Sequence, residues 1–230
     1  MTDARTVDDL LVGVLGGTGP QGRGLAVRLA AAGQRILLGS RDADRAAEVA
    51  DQVAERARTV AGGEVSVRGG GNEDVAGAAD LVVVAVPYDG HAATLSGLAT
   101  PLAGKVVVDC VVPMGFDELG AYVLDVADGS VTQQAAALLP DSHVVGAFHH
   151  LSAVLLEDLS KPTLDGDVMV VGDVREATDL VQALAGRLPG MRGVYAGRLR
   201  NARQVEALTI NLVSVNRRYK VHAGIRVTDV

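Results

Sequence analysis

Valine-rich apolar runs recur at regular distances along the first two thirds of the chain. They are apolar at every position rather than at alternate positions, which is typical of strands that are buried on both faces of a sheet. Alanine-rich segments with helical spacing separate the early runs, at 21–32, 43–60 and 73–79. The predicted strands are "LLVGVL" at 10–15, "RILLG" at 35–39, "EVSVR" at 64–68, "LVVVAV" at 81–86, "KVVVDCVV" at 105–112 and "HVVGAF" at 143–148.

Strand and helix in alternation predict an α/β fold built on a doubly wound parallel sheet with right-handed crossovers. Past residue 148 the pattern changes and the elements become shorter. We predict that residues 149–230 form a small C-terminal α/β extension that contributes to substrate binding and dimerisation. The extension is expected to hold strands at 166–173 and 193–199, helices at 174–187 and 201–218, and a closing strand at "AGIRV".

The bulk composition is that of a globular protein, since 48% of the 230 residues are hydrophobic and 21% are charged. No apolar run reaches the roughly 18 residues that a membrane span requires, and the polar, acidic start does not resemble a signal sequence. We therefore expect a cytoplasmic protein that does not contact membranes. The single cysteine, Cys110, cannot form an internal disulfide and is predicted as a buried structural thiol. The spacing of the cysteine and the five histidines matches no metal site, so no metal is predicted.

Residues 12–24 read "VGVLGGTGPQGRG", with five glycines within nine positions. Glycine inside regular structure costs roughly 0.5–1 kcal/mol against alanine, so the cluster indicates a backbone that side chains would obstruct. The spacing Gly17-x-Gly19-x-x-Gly22 falls where the first strand turns into a helix, as in the dinucleotide-binding fingerprint. Gly17 is expected to allow the tight turn, Gly19 the approach of a pyrophosphate, and Gly22 the packing of the helix on the strand. The alternative is a structural turn without a ligand; Gly33 is predicted as a left-handed C-cap.

The end of the second predicted strand indicates which dinucleotide binds. An acidic residue about 20 positions beyond the glycines would favour NAD, whereas this chain reads "LLGSRDADR". Ser40, Arg41 and, one helical turn further, Arg45 offer a hydroxyl and two guanidinium groups that suit the 2′-phosphate of NADP. Asp42 favours NAD if it reaches the ribose, and otherwise caps the next helix. We predict a Rossmann-type domain over residues 1–148 that binds NADP.

The carboxyl ends of the strands border the ligand crevice of a doubly wound sheet. His91, shortly after the fourth strand, is either a contact to phosphate or substrate, or a surface histidine that starts a helix. Cys110, at the end of the fifth strand, is included among the residues that border the cofactor. The residues predicted beside the ribose and the nicotinamide come from "VAVPYDGH" and are Ala85, Val86, Pro87 and Tyr88.

Two adjacent histidines, His149 and His150, directly follow the sixth predicted strand, and Ser152 comes soon after. We predict that these residues contact a substrate beside the nicotinamide. A general acid, a packing residue, a residue at a helix start and a hydrogen-bond donor to substrate all remain open for His149. The region holds no Tyr-x-x-x-Lys pair, so no residue is predicted as an acid or a base. Hydride transfer between stacked rings needs chiefly proximity and orientation, so the sequence favours a flavin-like acceptor over a ketone.

The net charge of −7 is unevenly distributed. Nine basic residues and one acid give residues 187–226 a local charge of +8, and the rest of the chain carries −15. Such a segment suits an anionic ligand, although a solvated helix face or pairing with the acidic part explains it nearly as well. Nucleic acid is not expected as a partner, because the chain is acidic and no aromatic residues are interleaved with the basic ones. The basic residues are Arg187, Arg192, Arg198, Arg200, Arg203, Arg217, Arg218, Lys220 and Arg226.

Four stretches together resemble the NADPH-dependent coenzyme F420 reductases, also called F420:NADP oxidoreductases. "GGTGPQGRGLAVRLA" and "GSRDADRAAEVA" are shared with many reductases, whereas "AFHHLSAVLL" and "RNARQVEALTINLVSVNRRYKVHAGIR" are more specific. The likeness runs over essentially residues 11–228. It implies reversible hydride exchange between C4 of the nicotinamide of NADP(H) and C5 of the deazaflavin of F420. It also implies a homodimer in which the C-terminal part helps to build both sites.

The resemblance also implies roles for individual residues. The stretch from Phe148 to Ser152 would face the deazaflavin, although His150 stands where the family often has asparagine. F420 carries a phosphodiester and a polyglutamate tail, for which Arg217, Arg218 or Lys220 would be the receptor. The pyrophosphate of NADP is expected at Thr18, Gly19, Pro20 and Gln21, its 2′-phosphate at Ser40, Arg41 and Arg45, and its nicotinamide at Ala85 and Pro87.

Two other functions remain open at the level of the sequence. A short Rossmann reductase that uses an imine, a flavin or a chelated metal ion as acceptor would have the same fold, and activity with that acceptor but not with F420 would identify it. A non-catalytic NADP-sensing module would account for the missing acid–base set. Binding of NADPH without turnover of any acceptor would favour the sensing module.

Overall fold

A computed structural model describes residues 6–230. Residues 1–5, which begin both the predicted main domain and the polar N-terminal stretch, lie outside the described residues. Within the described part, eight strands form one sheet and two form a separate hairpin. The strands are β1 Leu11–Leu15, β2 Arg35–Ser40, β3 Val67–Gly71, β4 Leu81–Val84, β5 Val106–Asp109, β6 Met114–Asp117, β7 Gly120–Val123, β8 His143–Gly146, β9 Gly166–Gly172 and β10 Met191–Gly197.

Helices cover both faces of the large sheet. Neighbouring positions of one strand show this, since they belong to different hydrophobic cores. Val83 packs in one core with Leu25, whereas Val84 packs in a second core with Leu95. Both valines are fully buried, as the continuous apolar runs predict. The helices are α1 Pro20–Ala31, α2 Ala43–Arg58, α3 Asn72–Ala78, α4 Tyr88–Gly97, α5 Ala99–Leu102, α6 Val131–Leu138, α7 Ala153–Glu157, α8 Arg175–Gly186 and α9 Ala202–Tyr219.

The strand order is β3-β2-β1-β4-β5-β8-β9-β10, and neighbours run parallel except β8 and β9. The first six strands in this order follow the doubly wound pattern, so the predicted Rossmann-type sheet is confirmed. Winding reverses between β1 and β4, and a crevice therefore opens beyond their carboxyl ends. The strands of the predicted C-terminal extension, β9 and β10, continue the same sheet, and the division at residue 148 stays a prediction.

Helix ends follow local signals in the sequence. α1 starts with Pro20, a residue that is favoured at the first helical position, and Gly33 beyond its end has φ +88°, as predicted for a left-handed C-cap. Asp42 is the N-cap of α2, where its carboxylate accepts a hydrogen bond from the backbone N–H of Arg45 at 3.0 Å. The helix-cap interpretation of Asp42 is therefore the one that the structure supports.

The third strand lies three residues later than predicted, since β3 spans Val67–Gly71 rather than 64–68. Gly69 explains the difference. A Cβ atom at this position would lie 2.1 Å from the carbonyl oxygen of Ala46, so α2 crosses the strand at backbone contact. A run of three glycines that resembles a loop in the sequence is thus a strand, because only glycine allows this approach.

The segments after β5 and at the C-terminus differ most from the prediction. Neither the β6–β7 hairpin nor α6 is predicted by the apolar pattern, and β10 begins at Met191 instead of residue 193. The predicted closing strand "AGIRV" is irregular. The carbonyl oxygen of Ile225 accepts a hydrogen bond from the N–H of Asp167, and the Asp167 carboxylate accepts one from the N–H of Val227, both at 2.7 Å. The backbone and side chain of Asp167 therefore hold this segment, and no strand ladder forms there.

Arg28 fastens the beginning of the C-terminal part to α1. Arg28 is only 3% exposed. Its guanidinium group donates hydrogen bonds to five backbone carbonyl groups within and after α7. The two helices also touch directly, since a Cβ on Gly24 would lie 2.6 Å from the Cβ of Leu156. α1 and α7 therefore form one block beside the candidate site. The carbonyl groups belong to Leu155, Leu156, Asp158, Lys161 and Pro162.

Candidate active site

The glycine loop between β1 and α1 closes a tight turn. Gly16 has φ +71°, a conformation that favours glycine, and its carbonyl oxygen accepts a hydrogen bond from the N–H of Gly19 at 3.0 Å. The glycine that makes the tight turn is therefore Gly16, one residue before Gly17, of which this role was predicted. Gly17 instead ties the loop to the end of β2, because its N–H donates to the carbonyl oxygen of Gly39 at 3.0 Å.

Gly22 and Gly19 differ in what a side chain would meet. A Cβ on Gly22 would lie 2.8 Å from the carbonyl oxygen of Gly16, so α1 begins in backbone contact with the loop. A Cβ on Gly19 would approach only that same oxygen, at 3.3 Å, and would otherwise face open space. The first N–H groups of a helix lack partners within it and attract anions. The open space before α1 therefore fits a diphosphate group.

The residues predicted to select NADP stand together at the end of β2. Ser40 is the last residue of this strand, and Arg41 and Arg45 follow as exposed side chains. Among residues 6–230, no carboxylate lies within salt-bridge distance of either guanidinium group. The carboxylate of Asp42 is engaged as a helix cap. Both arginines are therefore available to an anionic ligand.

A cavity of about 400 Å³ opens at the carboxyl ends of β4 and β5. It is lined by residues that follow these two strands, by the segment after β8 and by α9. The structure brings together here most of the residues predicted beside the nicotinamide and its reaction partner. These residues are Ala85, Val86, Pro87, Tyr88, Cys110, His149, His150 and Ser152. Gln21, which was predicted at the pyrophosphate, also lines the cavity.

The wall contributed by α9 is missing from the sequence-based site. Thr209, Leu212, Val213 and Asn216 line the cavity at a spacing of three, four and seven residues from the first. This spacing places them on one face of a helix, and it is the signal that could have identified them. The remaining lining residues are Val111, Val112, Met114, Leu151 and Ala153.

Three polar atoms of cavity-lining residues are buried without a hydrogen-bond partner in the described part of the chain. They are Nδ1 of His149, Nδ1 of His150 and Oγ1 of Thr209. A buried polar atom without a partner costs about 1–3 kcal/mol, and a ligand that reached these atoms would offset that cost. Much of the remaining lining is apolar, and the combination fits a ring system with a polar edge.

Burial keeps both histidines of the cavity neutral at neutral pH. It lowers the pKa of His149, although the charges of Glu206 and Asp109 act in the opposite direction. Burial, with the adjacent His149, lowers the pKa of His150 to about 4. A neutral imidazole has one nitrogen that donates and one that accepts a hydrogen bond. Side chains in this state can form hydrogen bonds without placing a charge in the cavity.

His91 lies in the interior and does not reach the cavity. It has no exposed surface, Nε2 lies 2.6 Å from Oδ2 of Asp109, and Nδ1 lies 3.3 Å from Oε1 of Gln134. The predicted contact to phosphate or substrate is thus replaced by a buried His–Asp pair behind the end of β5. His91 does lie in the first turn of α4, but as a buried residue rather than the surface residue of the alternative interpretation.

Phe148 and Cys110 contribute less of their side chains than predicted. The ring of Phe148 is fully buried in the core, and its carbonyl oxygen accepts a hydrogen bond from Nε2 of Gln21 at 3.2 Å. Cys110 lines the cavity, but its thiol donates to the carbonyl oxygen of Val84 at 3.1 Å. Burial, with the nearby charge of Asp109, raises the pKa of this thiol. The predicted buried, structural thiol is therefore what the structure contains.

Four of the nine basic residues in the C-terminal segment have no carboxylate within salt-bridge distance among the described residues, namely Arg200, Arg217, Arg218 and Lys220. Three of these, Arg217, Arg218 and Lys220, are exposed at the end of α9. They form the basic end of α9. The other five pair with acidic residues, as Arg187–Asp8, Arg192–Asp167, Arg198–Asp173, Arg203–Asp125 and Arg226–Asp165.

Residues 6–230 contain neither a candidate membrane-spanning helix nor a candidate metal cluster. None of their helices combines the length and the apolar character needed to cross a membrane. No three His, Cys, Asp or Glu side chains among them gather in a way that could hold a metal ion.

A doubly wound sheet with a glycine loop after its first strand and a cavity at the strand ends defines the class of Rossmann-type dinucleotide-dependent oxidoreductases. Residues 11–113 match the family described as "NADP oxidoreductase coenzyme F420-dependent". The F420-dependent NADP reductase of Methanothermobacter marburgensis is 38% identical over 224 residues, which are 95% of this chain and 98% of that protein. The chain belongs to the family of F420-dependent NADP reductases.

Two further relatives support this membership over nearly the whole length. The F420-dependent NADP reductase of Methanocaldococcus jannaschii is 36% identical over 222 residues, again 95% of this chain and 98% of the relative. A protein from Arthrobacter sp. FB24, provisionally named an F420-dependent NADP reductase, has a crystal structure that matches with a TM-score of 0.76 and 25% identity. The match covers 94% of this chain and 98% of that structure.

Proposed function

We propose that this protein transfers a hydride reversibly between NADP(H) and the deazaflavin coenzyme F420. One observation carries the proposal beyond family membership. Ala85 and Pro87, expected beside the nicotinamide, and His149 and Ser152, expected beside the deazaflavin, line the same cavity. Two rings held in one cavity can meet face to face, which is the main requirement for hydride transfer between them.

The bound nicotinamide and deazaflavin supply the redox chemistry, and the side chains of the protein supply orientation and an environment with little water. Val86 and Val213 contribute apolar side chains to the lining of the cavity. Neutral histidines suit this role, because they form directed hydrogen bonds without placing a charge beside the rings. No side chain is required as an acid or a base at the hydride-transfer step.

The NADP part of the proposal uses the glycine loop and the end of β2. Thr18, Gly19, Pro20 and Gln21 hold the diphosphate in the open space before α1. Ser40, Arg41 and Arg45 hold the 2′-phosphate. The absence of a carboxylate beside the two arginines among the described residues supports this assignment, as does the engagement of Asp42 as a cap. Charge-assisted contacts of arginine to phosphate are among the strongest hydrogen bonds in proteins.

The basic end of α9 receives the anionic tail of F420. Arg217, Arg218 and Lys220 are exposed and lack carboxylate partners in the described part of the chain, and they follow directly after Asn216, which lines the cavity. A ring bound in the cavity therefore has its tail within reach of three cations. Attraction of an anion by such a group weakens as salt is added, which a titration at two ionic strengths measures.

The homodimer and the cytoplasmic location are further parts of the proposal. Phe116 and Leu119 of the β6–β7 hairpin are 69% and 94% exposed, which is unusual for large apolar side chains and suits a surface that a second subunit covers. Light scattering at several protein concentrations tests the dimer. A mass of one chain at every concentration would contradict it.

The function is tested by mixing the purified protein with NADPH and oxidised F420. We expect absorbance near 340 nm from NADPH and the visible band of F420 to fall together, and the reaction to reverse with NADP⁺ and reduced F420. Absence of any change across a range of pH would refute the proposal. Turnover of a free flavin, an imine or a chelated metal ion in place of F420 would identify a different reductase, and binding of NADPH without turnover a sensing module.

A further inference from the structure

The two adjacent histidines of the cavity have different hydrogen-bond partners. His149 approaches Thr132 of α6, and His150 approaches the backbone of β9. In each ring Nε2 is the nitrogen with a protein partner, and Nδ1 is the nitrogen without one among the described residues. The nature of the partner fixes which nitrogen of a neutral ring carries the proton.

Thr132, the neighbour of His149, is hydrogen-bonded to Glu206. Glu206 is 1% exposed. Its Oε1 accepts hydrogen bonds from the N–H and the hydroxyl of Thr132, at 3.0 and 2.9 Å. A carboxylate accepts but does not donate, so the single hydroxyl proton of Thr132 is directed at Glu206.

The hydroxyl oxygen of Thr132 can then only accept from His149. Its separation from Nε2 of His149 is 3.5 Å, at the long end of the range for a hydrogen bond. Nε2 of His149 must therefore carry the proton, and Nδ1 is left with a free lone pair. A Cβ on Gly146 would lie 3.1 Å from both Cε1 of His149 and Oγ1 of Thr132, so the glycine leaves the space that this contact needs.

The opposite argument holds for His150. The backbone N–H of Met169 donates to Nε2 of His150 at 3.2 Å, so this nitrogen carries a lone pair and the proton of the neutral ring is on Nδ1. The N–H of Met169 belongs to β9 and cannot be removed by exchanging a side chain. The two unpartnered Nδ1 atoms thus differ: that of His149 accepts a hydrogen bond and that of His150 donates one.

We infer that Glu206 and Thr132 are positioning residues that, with the N–H of Met169, hold His149 and His150 in opposite tautomers, so that the cavity offers one acceptor and one donor to an N–H/C=O edge of the bound ring. Under the proposed function, that edge belongs to the pyrimidinedione half of the deazaflavin, which carries an N–H between two carbonyl groups. A ring system without such an edge leaves both histidines unpaired, which disfavours its binding.

The tautomers are measured on the full chain labelled with ¹⁵N in its histidines, in the absence of ligand. Long-range ¹H–¹⁵N spectra distinguish protonated from unprotonated ring nitrogens, and His149→Gln and His150→Gln variants assign the signals. We expect the proton on Nε2 in His149 and on Nδ1 in His150. The same tautomer in both rings, or the reverse pair, overturns the inference.

Thr132→Val and Thr132→Ser form a matched pair of variants. Valine removes the hydroxyl but keeps the shape of the side chain and the N–H groups that Glu206 accepts from, whereas serine keeps the hydroxyl. We expect the valine variant to raise the fraction of His149 that carries its proton on Nδ1 above the wild-type fraction, with His150 unchanged, and the serine variant to retain the wild-type spectrum. An unchanged His149 in the valine variant overturns the role of Thr132 and Glu206.

Kinetics then test recognition of the ring. The valine variant should raise the KM for F420 by about two- to tenfold, the equivalent of one hydrogen bond, with the KM for NADPH unchanged and the serine variant close to wild type. An unchanged KM for F420 overturns the recognition of the ring by His149. If the wild-type protein does not turn over F420, the proposed function and this ligand both fail, and the spectra still decide the tautomers.

Discussion

Gln21 donates a hydrogen bond from Nε2 to the carbonyl oxygen of Phe148 at 3.2 Å. Gln21 is the second residue of the helix that follows the glycine loop, and Phe148 directly precedes the two histidines of the cavity. The part of the chain assigned to NADP and the part assigned to F420 are therefore joined at the cavity. The hydrogen bonds of Arg28 continue this junction along α1. Under the proposed function, the packed helices α1 and α7 hold the parts of the chain that bind the two rings.

Replacement of Arg28 by methionine should lower the free energy of unfolding by at least about 3 kcal/mol, because several buried carbonyl groups lose their donor at once. Arg175→Met is the control, since this arginine is 88% exposed and its ion pair with Asp179 should contribute less than about 0.5 kcal/mol. Urea unfolding measures both. Equal losses in the two variants would show that Arg28 does not fasten α7 to α1.

The double variant Arg41→Ala, Arg45→Ala should raise the KM for NADPH at least tenfold and leave the KM for NADH nearly unchanged. The reason is the loss of two charge-assisted contacts to the 2′-phosphate, worth roughly 1.5–3 kcal/mol each. Steady-state kinetics with both nucleotides decide the matter. Arg58→Ala, at the other end of α2, is the control for a general change of charge. An equal rise for both nucleotides would refute the assignment.

Gly22→Ala should weaken NADPH binding about tenfold or more. The added Cβ atom would lie 2.8 Å from backbone atoms of Gly16 and Gly17, and this clash would displace the loop. Gly77→Ala is the matched control on α3, where an added Cβ meets nothing within 4 Å. The control should bind NADPH normally and be more stable by about 0.5–1 kcal/mol, since alanine favours a helix. Calorimetric titration of both variants gives the comparison, and normal binding by the first would contradict the loop geometry.

His91 should stabilise the protein more at low pH than at high pH. Burial lowers its pKa, but the hydrogen bond and charge of Asp109, together with Gln134 and Glu206, outweigh burial and raise the pKa above the usual 6.5. A group whose pKa is raised in the folded state contributes fully below its unfolded pKa, and the contribution is lost as pH rises through the folded value.

The difference in unfolding free energy between wild type and His91→Gln isolates this effect from other titrating groups. The difference should be largest below about pH 6.5 and shrink toward alkaline pH. A difference that is constant or grows with pH would show that the His91–Asp109 pair is not stabilised by a proton.

The sequence predicts the sheet well because its signals are local. Continuous apolar runs place β1, β2 and β4, and helical spacing places α1, α2 and α9. β3 is displaced because its three glycines are explained only by the passage of α2 at Ala46, a contact between distant residues. The closing segment "AGIRV" has the composition of a strand but is held by the Asp167 carboxylate, which no local pattern reveals.

The candidate site shows the same division. Ala85, Pro87 and His149 are predictable because residues after parallel strands meet at one edge of a sheet. Thr209 is not, because its position depends on how α9 docks against that edge. His91 has the sequence position of a ligand contact, yet its pairing with Asp109 turns it inward. A rule that locates strand ends does not say which way each side chain points.

The most direct test of direct transfer between two rings in one cavity is the fate of the hydrogen at C4 of the nicotinamide. The measurement is mass and NMR analysis of reduced F420 formed from NADPH that carries deuterium at the transferred position of C4. The account predicts one deuterium at C5 of each reduced deazaflavin, even in ordinary water. Reduced F420 without deuterium, formed at a normal rate, would contradict it.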